Sequence, residues 1–267
     1  MIEKNDILNG LETEKFGRTI FSFNSLDSTN IFAKSLPKNE APHGTIIIAE
    51  EQTAGRGRME RAWKSEKNNN LLFSIIIYPD FRKEKVLLLP FAAALALCDG
   101  IEEILPYHLK CKWPNDVLVR GKKVSGILLE SVYKGMELER IIIGIGVNVN
   151  QNNFPEELRH KATSLKNESG KDIDRLLLLR NILRALEFRY VQLSEYPVQF
   201  LLKEWKMKNE TFGKRITIFQ SDFSFEATML DVAEDGSLLV ELNDGSRKNI
   251  YAGDVTLQEN YSPNLNN

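Results

Sequence analysis

Cysteine is scarce in this chain. The two thiols, Cys98 and Cys111, offer no disulfide framework; Cys98 lies in an Ala/Leu-rich run and reads as core, Cys111 as a strand residue. Histidine is nearly as sparse. His43, His108 and His160 are too scattered for a triad or a metal-ligand spacing, and each reads as structural or surface. An excess of one charge is missing too: 35 basic against 37 acidic residues leave a net charge of −2, and no global basic field argues for nucleic acid. The longest apolar run, Val86 to Cys98, is too short to cross a bilayer and contains Pro90. The opening Met1-Ile2-Glu3-Lys4-Asn5-Asp6 lacks an apolar signal core. A cytoplasmic protein with no nucleic-acid or membrane partner is expected.

What is present is ordinary for a globular enzyme. Apolar residues make up 42% and charged residues 27% of 267, enough for a large domain and a small second one. No internal repeat or low-complexity block occurs. The most informative stretch is Gln52-Thr53-Ala54-Gly55-Arg56-Gly57-Arg58-Met59-Glu60-Arg61-Ala62-Trp63, directly after the β-branched run Thr45 to Ala49. Gly55 and Gly57 break regular structure and let backbone come close to a ligand. Arg56, Arg58 and Arg61 bring forked donors suited to carboxylate or phosphate, and Trp63 offers a flat face for a stacked base. A mobile strand-end loop that closes over an anion is one reading; a solvated surface loop is the other.

A second segment shifts the balance. Lys110-Cys111-Lys112-Trp113-Pro114-Asn115-Asp116-Val117-Leu118-Val119 places Trp-Pro-Asn-Asp inside a strand pattern. Pro114 cannot donate to a ladder, so the strand must break, bulge or lie at an edge. Lys112, Asn115 and Asp116 then sit at a backbone irregularity, a common place to aim side chains at a ligand; an ordinary β-turn is the alternative. A hairpin through Arg120-Gly121-Lys122 leads to Lys123 at the mouth of the next strand, where an ammonium can meet a carboxylate.

Along the chain, strands are expected near 19–24, 45–50, 71–78, 109–119, 123–132 and 140–149. Asp27 or Ser28 can cap a helix through about Leu36. Leu87 to Leu105 reads as a buried helix with Pro90 in its first turn. Asp172 to Leu193 has leucines at helical spacing with Arg175, Arg180, Arg184 and Arg189 on the wet side. A further helix covers about 197–208, with Phe200, Leu201 and Trp205 on one face. From Gly213 short strands take over, at 215–219, 225–230, 237–241 and 249–251, with hairpin turns at Glu234-Asp235-Gly236 and Asn243-Asp244-Gly245. The terminal Ser262 to Asn267 is expected to fray.

Five motifs in order carry a family resemblance: Asp27 to Asn30 (Asp-Ser-Thr-Asn), Gly55 to Arg58 (Gly-Arg-Gly-Arg), Lys112 to Asp116 (Lys-Trp-Pro-Asn-Asp), Lys123 to Leu128 (Lys-x-x-Gly-Ile-Leu) and Gly144 to Asn148 (Gly-x-Gly-x-Asn). Over about residues 20–260 the chain resembles the biotin–protein ligases; Ala162-Thr163-Ser164-Leu165 is a further similar segment. The resemblance implies an α/β (α+β) fold, with a mixed-sheet catalytic domain of the biotin/lipoate ligase type over 1–210 and a small SH3-like β-barrel over 211–267. It implies activation of biotin by ATP to biotinyl-5′-AMP, then transfer to a lysine of a biotin carboxyl carrier protein. Mg²⁺ is expected on the ATP phosphates, with no metal held by protein side chains, and a homodimer is possible.

The same resemblance assigns residues. Arg56, Arg58, Lys123 and Lys112 are the catalytic set. Ser28, Thr29, Asn30, Gln52, Gly55, Arg56, Gly57, Arg58, Lys123 and Gly126 would line the biotin, and Ser28 alone could be no more than a helix cap. Arg56, Arg58, Arg61, Trp63, Lys112, Asn115, Lys123 and Asn148 would hold ATP. The chain departs from the pattern at Glu60, where many relatives have glycine; its carboxylate can pair with Arg58 or Arg61 in an open loop. Lipoate–protein ligases are the nearest enzyme alternative, but their Arg-Arg-x-x-Gly-Gly-Gly pattern is missing. Gly144-x-Gly146 lacks the third glycine and helix of a dinucleotide site. A biotin-responsive repressor would carry an N-terminal winged helix, and fewer than thirty residues precede Ser28.

Overall fold

Isoleucine-rich runs that bury both faces build the central sheet. In this computed structural model, which describes residues 1–220 and 223–257, seven strands make up that sheet. They are β1 (Ile20–Phe23), β2 (Ile46–Ala49), β3 (Leu71–Ile77), β4 (Lys110–Lys112), β5 (Asp116–Val119), β6 (Lys122–Lys134) and β7 (Glu137–Val147). Their spatial order is β1-β2-β3-β7-β6-β5-β4, with β1 and β2 parallel and every other neighbour antiparallel. The expected strand over 109–119 is two strands, divided at Trp113-Pro114, whose peptide is cis. The expected strands over 123–132 and 140–149 form one long hairpin that turns at Gly135.

Alternation sends residues to two different environments. Phe73, Ile75, Ile77, Ile141, Ile143 and Ile145 join the large core under α3 (Leu89–Glu102) and α5 (Arg175–Glu195). Ile47, Ile76 and Ile142 face the other way, packing with Ala33 of α2 (Thr29–Ser35) and with Leu36. α3 crosses α5 closely: a Cβ on Gly100 would lie 2.8 Å from the Ile182 nitrogen. Among the described residues the remaining α-helices are the short α1 (Lys4–Leu8) and α4 (Leu165–Ser169), and α6 (Val198–Met207), and two 3-10 helices cover Lys83–Leu88 and Glu156–Leu158.

Two expectations about helix faces are corrected. Arg189 does not face water; it is 6% exposed and binds Asp99 at 2.7 Å and Glu204 at 2.7 Å, tying α5 to α3 and α6. Arg175 binds the buried carboxylate of Glu50 at 2.6 Å. Spacing alone placed both on the wet stripe, but long stems can cross helix boundaries to reach acids on neighbouring elements. Phe200 leaves the face it was given: it is 56% exposed, while Leu201, Leu202 and Trp205 are buried.

The C-terminal unit is a five-stranded antiparallel sheet of β8 (Arg215–Phe219), β9 (Ser224–Val232), β10 (Leu238–Glu241), β11 (Arg247–Ile250) and β12 (Asp254–Leu257), in the order β11-β10-β9-β8-β12. Its two hairpin turns have the positive φ expected at Gly236 and Gly245. β12 was missed in sequence, because Asp254-Val255-Thr256-Leu257 is short and half polar. The core of this unit is continuous with the main one, and Gly236 lies against Phe91 and Leu88 while its carbonyl accepts from the Trp113 indole. Ser262 to Asn267 lie outside the described residues.

Candidate active site

One register row across the sheet organises the site. Lys112 pairs with Asp116, Asp116 with Gly126, Gly126 with Gly146 and Gly146 with Leu72. Paired residues share a face, so the two glycines make a floor flanked by Lys112 and Asp116. Two residues along the strands, Ser74 and Gly144 extend this floor, and Glu130 stands beyond it opposite Ile142. The floor has to be side-chain free. A Cβ on Gly144 would lie 2.3 Å from Asn30 Oδ1, and one on Gly146 2.5 Å from the Trp63 ring.

The arginine loop folds as a tight ribbon over that floor. Gly57 N–H donates to the Arg61 carbonyl at 2.7 Å, Trp63 N–H donates to the Gly55 carbonyl at 2.9 Å, and Arg56 bridges Ala62. Gly55 serves close approach here, since its Cβ would sit 2.6 Å from the Trp63 carbonyl. Met59 and Glu60 form the tip at φ 52° and 58°, the region that favours glycine. That explains why the resemblance implies a glycine at the position Glu60 occupies. Among the described residues Arg58 and Arg61 turn to Asp254 of β12 rather than to Glu60. Trp63 rests on Gly126 and Gly146, with the Lys123 ammonium 5.5 Å from its ring centre. Its buried indole N–H has no protein partner among the described residues, and such a donor suits a ligand's acceptor.

α2 supplies the polar wall. Ser28 is its N-cap by position, though its hydroxyl makes no capping bond. Thr29 donates to Gln52 Oε1 from its N–H at 2.8 Å and its hydroxyl at 3.0 Å. Ser74 Oγ lies 2.7 Å from Thr29 Oγ1 and 2.5 Å from Asn30 Oδ1, and its one proton can serve only one of them at a time. Asn30 donates to Glu130 at 2.8 Å, Lys34 does so at 2.6 Å, and Arg56 lies 3.7 Å from the same carboxylate. Burial disfavours the charged form of Glu130, but Lys34, Asn30 and Arg56 outweigh it and hold its carboxyl below the ordinary value.

On the far side Lys123 meets Asp116 at 2.5 Å, a carboxylate that the chain itself supplies at that strand mouth. Arg58 donates to Asn115 Oδ1 at 3.3 Å, and the Asn115 amide is tied to the Ile127 carbonyl. Burial pulls Lys112 below the ordinary lysine value, with Asp116 opposing and Lys123 adding to the shift. Burial also lowers Arg58, with Asp254 and Asp116 opposing; a guanidinium stays charged regardless. Asn148 is buried and linked more indirectly: its amide donates to the Thr163 carbonyl at 3.1 Å, and Thr163 N–H donates to the Lys123 carbonyl at 2.9 Å.

Four participants were missed in sequence: Ser74, Glu130, Lys34 and Asp254. Ser74 and Glu130 had a usable signal, a polar residue inside an apolar strand. Lys34 and Asp254 had none, because only folding sets them beside the motifs. Among the described residues no group of three His, Cys, Asp or Glu side chains could hold a metal ion.

Residues 22–148 match the biotin/lipoate A/B protein ligase family, and residues 211–257 match the biotin protein ligase C-terminal domain. The bifunctional ligase/repressor BirA of Bacillus subtilis is 38% identical over 96% of this chain and 79% of its own length. A biotin–[acetyl-CoA-carboxylase] ligase of Mycobacterium tuberculosis is 32% identical over 79% of this chain and 78% of its own. The biotin protein ligase of Aquifex aeolicus, solved with biotin and ATP, superposes with a TM-score of 0.79 at 30% identity, covering 91% of this chain and all of that one. On these matches the chain belongs to the biotin protein ligases, within the biotin/lipoate A/B protein ligase family.

Proposed function

We propose that this chain activates biotin with ATP, forming biotinyl-5′-AMP and pyrophosphate, and then passes the biotinyl group to a lysine of a carboxylase's biotin carrier domain. The observation that carries this reading is a side-chain-free glycine floor beneath Trp63, bordered by Arg56, Arg58, Lys112 and Lys123. The first step brings a carboxylate to an α-phosphate, and the two anions repel. Fixed cations lower that barrier by neutralising charge and aligning the reactants. Biotin brings its own nucleophile, so no activated serine or cysteine is required.

In this reading Ser28, Thr29, Asn30 and Gln52 receive the ureido ring, whose N–H and C=O groups need both donors and acceptors. The backbone from Gly55 to Arg58 lines the acyl chain over Gly126. Lys123 exchanges Asp116 for the biotin carboxylate and the α-phosphate. Trp63, Arg61, Lys112, Asn115 and Asn148 hold the nucleotide. Asp116, already paired with Lys123, is the one carboxylate of the floor row, which fits Mg²⁺ carried on the phosphates rather than in a protein cage. Bound there, Mg²⁺ supplies charge neutralisation of the triphosphate.

We assign catalysis to residues 1–210 and an ancillary role to 211–267. With a net charge of −2, no global basic field favours nucleic acid as the partner. Incubation with biotin, MgATP and a carrier domain, read by mass spectrometry, tests the function: one biotinyl group should appear on the carrier, and an unmodified carrier would sink the reading.

A further inference from the structure

Asp254 lies at the start of β12, 196 residues from Arg58, yet its carboxylate holds two of the three loop arginines. Its Oδ1 accepts from Arg58 Nη1 at 3.0 Å, and its Oδ2 pairs with Arg61. Arg58 Nη2 also donates to the neighbouring Gly253 carbonyl at 3.2 Å. The root of this contact is firm, because Asp254 pairs with Phe219 in the β8–β12 ladder. Gly253 there has φ 142°, and a Cβ would lie 2.8 Å from the Phe219 carbonyl. Lys112, on the sheet floor, feels the same carboxylate.

From this arrangement we propose that Asp254 is a positioning residue for the nucleotide: it fixes the Arg58 and Arg61 guanidinia at the mouth of the site so that they meet the triphosphate already ordered. Two carboxylates, Asp254 and Asp116, among the four cations Arg58, Arg61, Lys112 and Lys123 leave a surplus of positive charge for an incoming phosphate. Each guanidinium has five N–H donors, and Asp254 engages only part of that set. Without the contact, arginines close together on a short loop repel, and binding ATP would have to supply the cost of ordering them. The β unit thus reaches the adenylation chemistry through one side chain. This inference rests on the ligase reading for its nucleotide arm, whereas its loop arm needs no ligand.

The test compares full-length Asp254→Asn and Asp254→Glu with the wild-type protein. In the ligand-free protein, tryptic cleavage after Arg56, Arg58 and Arg61 should be several-fold faster in Asp254→Asn, because the loop has lost its tie. In biotin-dependent ATP–pyrophosphate exchange, its KM for ATP should rise about tenfold while the biotin Kd stays within about twofold. Asp254→Glu should recover most of the ATP affinity. Unchanged cleavage, or equal losses for ATP and biotin that glutamate does not rescue, would overturn the proposal. If wild-type protein catalyses no exchange at all, the ligase reading has failed, and the cleavage comparison still decides whether Asp254 orders the loop.

Discussion

On β7, Ile143 and Ile145 pack into the core beneath α3 and α5, whereas Gly144 and Gly146, one residue along, lie beneath Asn30 and Trp63. The same holds on β3, where Phe73 and Ile75 are core and Ser74 between them binds Thr29 and Asn30. One face of these strands is chosen for apolar volume, and the other, over Ser74, Gly144 and Gly146, for the lack of it, with Ile76 and Ile142 restoring apolar packing at its far end. Stability and chemistry are thereby separated by a single step along the backbone. Substitutions on the two faces should fail in different ways, and that separation can be tested.

The largest effect is expected on the polar side. Arg56→Ala should slow adenylate formation by more than about a hundredfold, on the order of 3 kcal/mol, because a preorganised cation beside the developing charge is lost. Transfer from supplied biotinyl-5′-AMP should suffer much less, and melting temperature should hold. Equal loss in both half-reactions would deny Arg56 this role.

Lys123→Gln keeps length and polarity but removes charge, and it leaves Asp116 unpaired. Biotin affinity should fall and adenylation should fall further, by about thirtyfold in total. Isothermal titration alongside pyrophosphate exchange separates the two losses. Normal exchange at saturating substrates would make Lys123 a surface hairpin lysine and nothing more.

A paired substitution then contrasts the faces directly. Ile143→Ala should cost about 2–4 kcal/mol of stability with little change in KM. Gly146→Ala should do the reverse: its Cβ would sit 2.5 Å from the Trp63 ring, so ligand affinity should fall about tenfold with little change in melting temperature. If both variants lose stability equally, the floor is structural and the two-face distinction fails.

The smallest effect concerns Glu50, just past the end of β2, which accepts from the Ile2 N–H at 2.7 Å and pairs with Arg175. Burial opposes its ionisation, but Arg175 and the Ile2 N–H prevail and hold its carboxyl below the ordinary 4.5. A depressed native value stabilises the fold above the unfolded value and loses that contribution as pH falls through the native one. The melting-temperature gap between wild type and Glu50→Gln should therefore be widest near neutral pH and shrink as pH falls below the ordinary 4.5. A gap independent of pH would show that packing, not charge, sets it.

Much of this molecule was legible in sequence where the signal is local. The isoleucine runs, the break at Pro114, the hairpin at Arg120-Gly121 and the turns at Gly236 and Gly245 each depend on a few adjacent residues. The motif residues from Thr29 to Lys123 converge on one sheet face because the strand period is two. Arg175 and Arg189 misled because helical spacing shows which way a stem leaves, not which acid lies within its reach. Phe200 misled for the opposite reason: an apolar residue at the edge of an amphipathic stripe can remain exposed.

By itself the sequence determined the strand and helix types, the order of the motifs and the kind of chemistry that glycine, arginine and lysine at those spacings serve, since all of these follow from local backbone preference and side-chain functional groups. Only the tertiary structure decided that Ser74 and Glu130 join α2 in one hydrogen-bonded wall, that Trp63 lies on Gly126 and Gly146, and that Asp254 holds Arg58 and Arg61. Those contacts join residues tens to nearly two hundred positions apart. They arise from strand register and from one core shared by both sheets, and local sequence contains no record of either.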